Sequence, residues 1–148
     1  MSSMLDNVFW HALTGAQSAF AIGADGARRY APGFSPILAF ADTKRPDFDA
    51  LSPFCLPGES FYTEGWSGLA PAGWRIELES TMFKMLWAGE MPPLDAAPEA
   101  VPLGPAHVEQ AQELAALTRP GPFGPLTIEL GDYFGVFDGG RLLARAGE

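Results

Sequence analysis

The stretch Tyr133 to Glu148, YFGVFDGGRLLARAGE, constrains the fold more than any other part of the chain. It reads as a strand, a tight turn at Asp138-Gly139-Gly140 and a second strand. Tight hairpin turns need residues that accept positive φ, which glycine does without a Cβ penalty. A strand must give its N–H and C=O groups a neighbour, and an open edge is a template for another strand. The second strand runs to the end of the sequence, so a partner is expected for it. That partner is a second chain carrying further strands, a second copy pairing edge to edge, or further sequence downstream of residue 148.

With 148 residues there is room for one ordinary domain or one and a half small ones. Hydrophobic residues make up 47% and charged ones 18%, the balance of a core-forming globular protein. No apolar run approaches the ~20 residues of a membrane span. The start, MSSMLDNVFWHAL, lacks the basic region and small-residue cleavage site of a secretory signal. Cys55 is the single cysteine, which excludes an intrachain disulfide and a cysteine-cluster zinc site. A cytoplasmic setting follows. The net charge of −9 argues against nucleic acid, whose phosphates require a Lys/Arg surface. An acidic chain attracts cations such as amines at long range, although solubility alone accounts for such a charge.

Local signals divide the chain. A helix is expected over Asp6–Leu13, capped by Asp6 or Asn7. Thr14-Gly15-Ala16-Gln17 has the spacing of a capping box, which predicts a second short helix through Ile22 closed by Gly23. Residues Ala24–Pro36 read as loop and Ile37–Phe40 as a buried strand. Pro46–Leu51 reads as a helical turn and Ser60–Thr63 as a strand. The strongest period-2 alternation is Trp74, Ile76 and Leu78 against Arg75, Glu77 and Glu79, with Thr81–Trp87 continuing it across a bulge. Ala88–Ala100, AGEMPPLDAAPEA, is aperiodic and Pro/Ala-rich, as in a linker. Then come a short strand, Val101–Leu103, and a helix opened by Gly104-Pro105 with proline at its start. Val108, Ala111, Leu114, Ala115 and Leu117 are its expected apolar face. Arg119-Pro120-Gly121-Pro122 ends it. A loop over Pro122–Leu126 and a short helix at Thr127–Leu130 lead into the hairpin.

Few residues advertise chemistry. His11 and His107 lack a second His or Cys at ligand spacing, so no metal is expected. Cys55 sits among Pro53, Phe54, Leu56 and Pro57 and reads as a small buried hydrophobe. The glycines form no phosphate loop, because Gly121-Pro122-Phe123-Gly124-Pro125 has two prolines without N–H groups. Tyr30, Phe34, Tyr62 and Phe123 lie beside Pro/Gly loops and could line a pocket, although each taken singly is more economically a core residue.

Three segments in order carry a family resemblance: Val-Pro-Leu-Gly-Pro at 101–105, Thr-Arg-Pro-Gly-Pro-Phe-Gly-Pro at 118–125, and Gly-Val-Phe-Asp-Gly-Gly-Arg-Leu-Leu-Ala at 135–144. They resemble the first strand and helix, the following loop, and the second and third strands of a GCN5-related N-acetyltransferase (GNAT) domain, FR47-like branch. The resemblance implies an α/β fold with a mixed sheet, truncated before the acetyl-CoA pyrophosphate loop, whose Arg/Gln-x-x-Gly-x-Gly/Ala pattern is absent. It divides the chain into an N-terminal extension (residues 1–88, a degenerate half-domain), a linker (89–100) and the first half of the catalytic domain (101–148). It implies acetyl transfer from acetyl-CoA, as co-substrate, to a primary amine on a small molecule or protein. This chain would supply the acceptor side: Pro122, Phe123 and Gly124, with Tyr30 and Phe34 from the extension. In such enzymes a carboxylate or water in the central strands deprotonates the amine, which points to Glu148. The alternative is a catalytically inactive fragment that binds a ligand or protein. An unrelated α/β domain is a third reading, disfavoured by three segments matching in order.

Overall fold

The computed structural model describes residues 4–93 and 97–147. A 3-10 turn at Met4–Asn7 runs into helix α1 (Val8–Thr14), and a second at Ser18–Phe20 leads into three strands. These are β1 (Ala21–Ala24), β2 (Ala27–Tyr30) and β3 (Leu38–Phe40), an antiparallel sheet in that order. Asp25-Gly26 makes the first turn, and Gly26 has the positive φ (81°) that such a turn demands.

Both faces of β2 and β3 are covered, which is why they bury almost every side chain. On one face Ala27, Leu38 and Phe40 meet Phe48 and Leu51 of α2 (Phe48–Leu51). Phe48 stacks against Phe40, Trp66 and Trp74 at 4.8, 5.1 and 5.2 Å. On the other face Tyr30 and Ala39 pack with Leu13 of α1 and with Phe9, Trp10 and Phe20. The Asp47 carboxylate accepts the Ala50 N–H at 3.0 Å and so fixes the start of α2.

The second sheet is built from β4 (Val101–Pro102), β5 (Tyr133–Asp138) and β6 (Arg141–Gly147), also antiparallel and in that order. Between β4 and β5 lies α3 (Val108–Thr118), preceded by a 3-10 turn at Pro105–His107. Gly139 and Gly140 both take positive φ, 52° and 84°, which closes the β5–β6 hairpin as expected. The ladder pairs Phe137 with Leu142 but Val136 with Ala144, so Leu143 is an extra residue on β6. The described residues thus hold three α-helices and two antiparallel sheets, the expected combination of helix and sheet.

Five local expectations are corrected. The Thr14–Gln17 capping box does not form: Thr14 Oγ1 donates back to Trp10 O at 2.7 Å, and Gln17 Nε2 donates to Leu130 O at 2.8 Å. Gly23 then lies in a strand opposite Arg28. Within the expected loop Ala24–Pro36, residues 27–30 are β2, and Arg29 is buried with its charge paired to Glu59. The Trp74–Trp87 alternation gives no strand, since no described strand offers 75–93 a ladder. Leu78, Phe83 and Trp87 are 80%, 85% and 73% exposed, and Lys84 tethers the segment through Glu64 (2.9 Å) and Leu5 O. On α3, Ala111 is buried and Leu117 is exposed, because 108, 111 and 115 define the inner stripe and 117 lies off it. Ser60–Thr63 contributes one parallel bridge, Ile37 to Tyr62.

Candidate functional site

The site begins where α3 stops. Pro120 cannot continue the helix, and Arg119 takes the left-handed conformation (φ 50°) while its N–H bonds Ala115 O at 2.8 Å. The chain then turns back over the N-terminal sheet. Leu126 N–H donates to Gly33 O at 2.8 Å, and Gly33 (φ 95°) lies against the Leu126 side chain. Gly124 presses onto the same segment: a Cβ there would lie 2.5 Å from Gly33 O and 2.7 Å from Phe34 O. Only glycine fits so close to two carbonyls.

Polar bonds lock this contact. The Thr127 hydroxyl accepts the Gly124 N–H at 2.8 Å and meets Ser35 Oγ at 3.1 Å; both hydroxyl residues are buried. Beneath them Tyr30 OH donates to Gln17 Oε1, while Gln17 Nε2 donates to Leu130 O. Burial raises the Tyr30 phenol above its ordinary range, with the nearby Tyr133 adding to the effect.

Of the residues singled out by sequence, Gly124 and Phe34 come together through the backbone. Pro122 lies half-buried in the same loop. The Phe34 ring packs on Phe20 at 5.1 Å rather than on the loop. Tyr30 is buried beneath, in the core. Phe123 turns the other way, meeting Tyr133 edge-on at 5.8 Å, with the Arg145 guanidinium 3.8 Å above its ring centre. Glu148 lies outside the described residues. His107 accepts the Gly104 N–H on Nδ1 at 3.0 Å and packs on Phe137, which fixes the entry to α3. Burial pushes the Cys55 thiol up, so it stays protonated near neutral pH. Sequence reasoning missed Gln17, Ser35, Thr127, Tyr133 and Arg145, whose roles arise from contacts distant along the chain.

A groove of about 280 Å³ runs between the end of α3 and β6, walled by Leu114, Thr118, Pro120, Leu143, Ala144 and Arg145. Nearer the start of α3, Gln110 ties the helix to the β5–β6 hairpin: it accepts the Leu142 N–H at 2.8 Å and donates to Gly140 O at 3.3 Å. Gln110→Ala is expected to lower stability by about 1 kcal/mol, the net worth of a typical internal hydrogen bond. Its check is denaturant unfolding, together with faster hydrogen exchange at Leu142; an unchanged exchange rate there would contradict the assignment.

The glycine-rich loop at 121–125 does not fit the pyrophosphate of acetyl-CoA. Such a group takes a row of free amides at a helix start. In the glycine-rich loop Pro122 and Pro125 have no N–H, and the Gly124 N–H is given to Thr127. Among the described residues no three His, Cys, Asp or Glu side chains are placed to hold a metal ion. No described helix is long and apolar enough to cross a membrane.

No family model and no curated protein matches the chain. A solved structure does: a protein from Novosphingobium aromaticivorans assigned to the GNAT family of acetyltransferases. It superposes with a TM-score of 0.74 at 28% identity, over 99% of this chain. The fold is GNAT-like. The chain spans 64% of that protein's length.

Proposed function

We propose that this chain is the acceptor-side part of an acetyltransferase of the FR47-like GNAT branch, acting in the cytoplasm. It would move the acetyl group of acetyl-CoA to a primary amine on a small molecule or protein. In this reading residues 1–88 form the extension, 89–100 the linker and 101–148 the first half of the catalytic domain. The observation that carries the reading is the structural match over 99% of the chain to a GNAT protein that continues further. Docking of Gly124 and Leu126 on Gly33–Phe34 supports it, since it brings the extension against the loop that would face the acceptor. Pro122, Phe123 and Gly124, backed by Phe34 and Tyr30, would shape that wall, and Glu148 would take the amine proton. Acetyl-CoA binding falls to a strand and glycine-rich loop outside residues 1–148, carried further along the same polypeptide or by a second one.

The test is purification from source cells with intact-mass detection of any second polypeptide, acetyl-CoA calorimetry, and an assay of CoA release with amines. We expect no CoA release from this chain alone, and amine-dependent release once the missing loop is supplied. A single species of this chain's mass with no acetyl-CoA binding would overturn the reading and leave an inactive ligand- or protein-binding module.

A further inference from the structure

One extra residue decides where Arg145 goes. Without the bulge at Leu143, β6 would pair Phe134 with Arg145, and Phe134 faces outward. The bulge shifts the ladder so that Arg145 stands opposite Gly135, on the face shared with Tyr133 and the buried Leu142. There the guanidinium stacks on Phe123 at 3.8 Å, and Arg145 forms part of the wall of the groove.

The charge is unanswered in that position. The sequence holds 18 acidic residues against nine basic ones, yet among the described residues no carboxylate pairs with Arg145 and no acceptor receives its N–H groups. Stacking uses the face of a guanidinium and leaves its in-plane N–H donors free. Thr118, the other polar residue of the wall, has its hydroxyl committed to Leu114 O at 2.7 Å. The rest of the wall is apolar.

We propose that Arg145 recognises a carboxylate, and that the amine acceptor is an amino-acid-like molecule with its apolar side chain against Leu114, Pro120 and Leu143. The planar fork of arginine matches a carboxylate with two parallel hydrogen bonds. A groove of about 280 Å³ suits a ligand smaller than drug-sized. A phosphate is the weaker fit, because its second charge calls for a further cation and the wall has one. The word acceptor rests on the acetyltransferase reading; recognition of the carboxylate rests on the groove itself.

The test uses the full chain, titrated with L-leucine, with L-leucinamide and with inorganic phosphate, and followed by NMR at the Arg145 Nε–H and the Leu143 and Ala144 amides. We expect L-leucine to shift these signals and L-leucinamide to bind about tenfold more weakly or worse, as the loss of a charge-assisted hydrogen bond implies. Arg145→Gln should abolish that difference and Arg145→Lys retain part of it. Equal binding of acid and amide, shifts elsewhere only, no binding, or phosphate binding ahead of leucine would each overturn the proposal. If Arg145→Gln fails to fold, the acid–amide comparison on the unaltered chain decides. Failure of the CoA-release assay with that discrimination intact would remove the acetyltransferase reading and leave the carboxylate site standing.

Discussion

Gly124→Val is expected to cost about 3 kcal/mol of stability and to lower the melting temperature by roughly 6–10 °C. The reason is local and geometric. A Cβ at 124 would lie 2.5 Å from Gly33 O and 2.7 Å from Phe34 O, and neither backbone carbonyl can swing aside as a side chain would. Relief requires the loop to lift, which breaks the Leu126 N–H bond to Gly33 O and separates Thr127 from Ser35. Thermal unfolding measures the loss, and hydrogen exchange at Leu126 locates it. Gly104→Ala is the control: its Cβ would meet nothing within 4 Å, and its φ of −146° suits any residue. Should the two variants melt together with the parent, the loop would not be anchored where the structure puts it.

Legibility followed the range of each interaction. The β5–β6 hairpin, the stop of α3 at Arg119-Pro120, the 3-10 turn at Thr127–Glu129 and β3 are set by residues close in sequence, and all were readable. The β1–β2 hairpin carried an Asp25-Gly26 turn signal, but Arg28 and Arg29 disguised the strand. A buried arginine is foreseeable only with knowledge of Glu59, thirty residues on. Gln17 reads as a capping residue until Leu130 and Tyr30, brought by folding, offer it better partners. The alternation over 74–79 records a real tendency, but a tendency becomes a strand only beside another strand. The candidate loop was legible as Pro122, Phe123 and Gly124; its seat on Gly33–Ser35 was not. Arg145 was hidden by the bulge, since counting by twos along β6 assigns it to the opposite face.

Arg29→Met is expected to cost about 3 kcal/mol, the lower end of the loss seen when one member of a buried ion pair is removed. Arg29 is 4% exposed and has four of its five N–H donors engaged: Nε to Tyr30 O at 3.0 Å, Nη1 to Phe54 O at 2.7 Å and to Glu59 Oε2 at 2.9 Å, and Nη2 to Glu59 Oε1 at 3.1 Å. Its cation also lies 4.5 Å above the Phe61 ring. Methionine fills much of the volume but leaves the Phe54 carbonyl without its arginine donor and the Glu59 carboxylate with the Leu56 N–H alone. The lower end applies because Glu59 is 28% exposed and water can answer part of its charge. Acid separates this pair from simple packing. Arg29, followed by the Leu56 N–H, holds the Glu59 carboxyl below its ordinary range. The unfolded chain therefore takes up the proton first as pH falls. The stabilisation is present above the ordinary glutamate value of about 4.3 and is lost as pH drops through the lower folded-state value. In the variant only the Leu56 N–H remains to hold the carboxyl down, so the stability gap between parent and Arg29→Met should narrow as pH falls between about pH 6 and pH 3 in parallel urea titrations. A gap that stays constant would mean that Arg29 acts through packing on Phe61 and its carbonyl bonds, with the Glu59 charge contributing nothing.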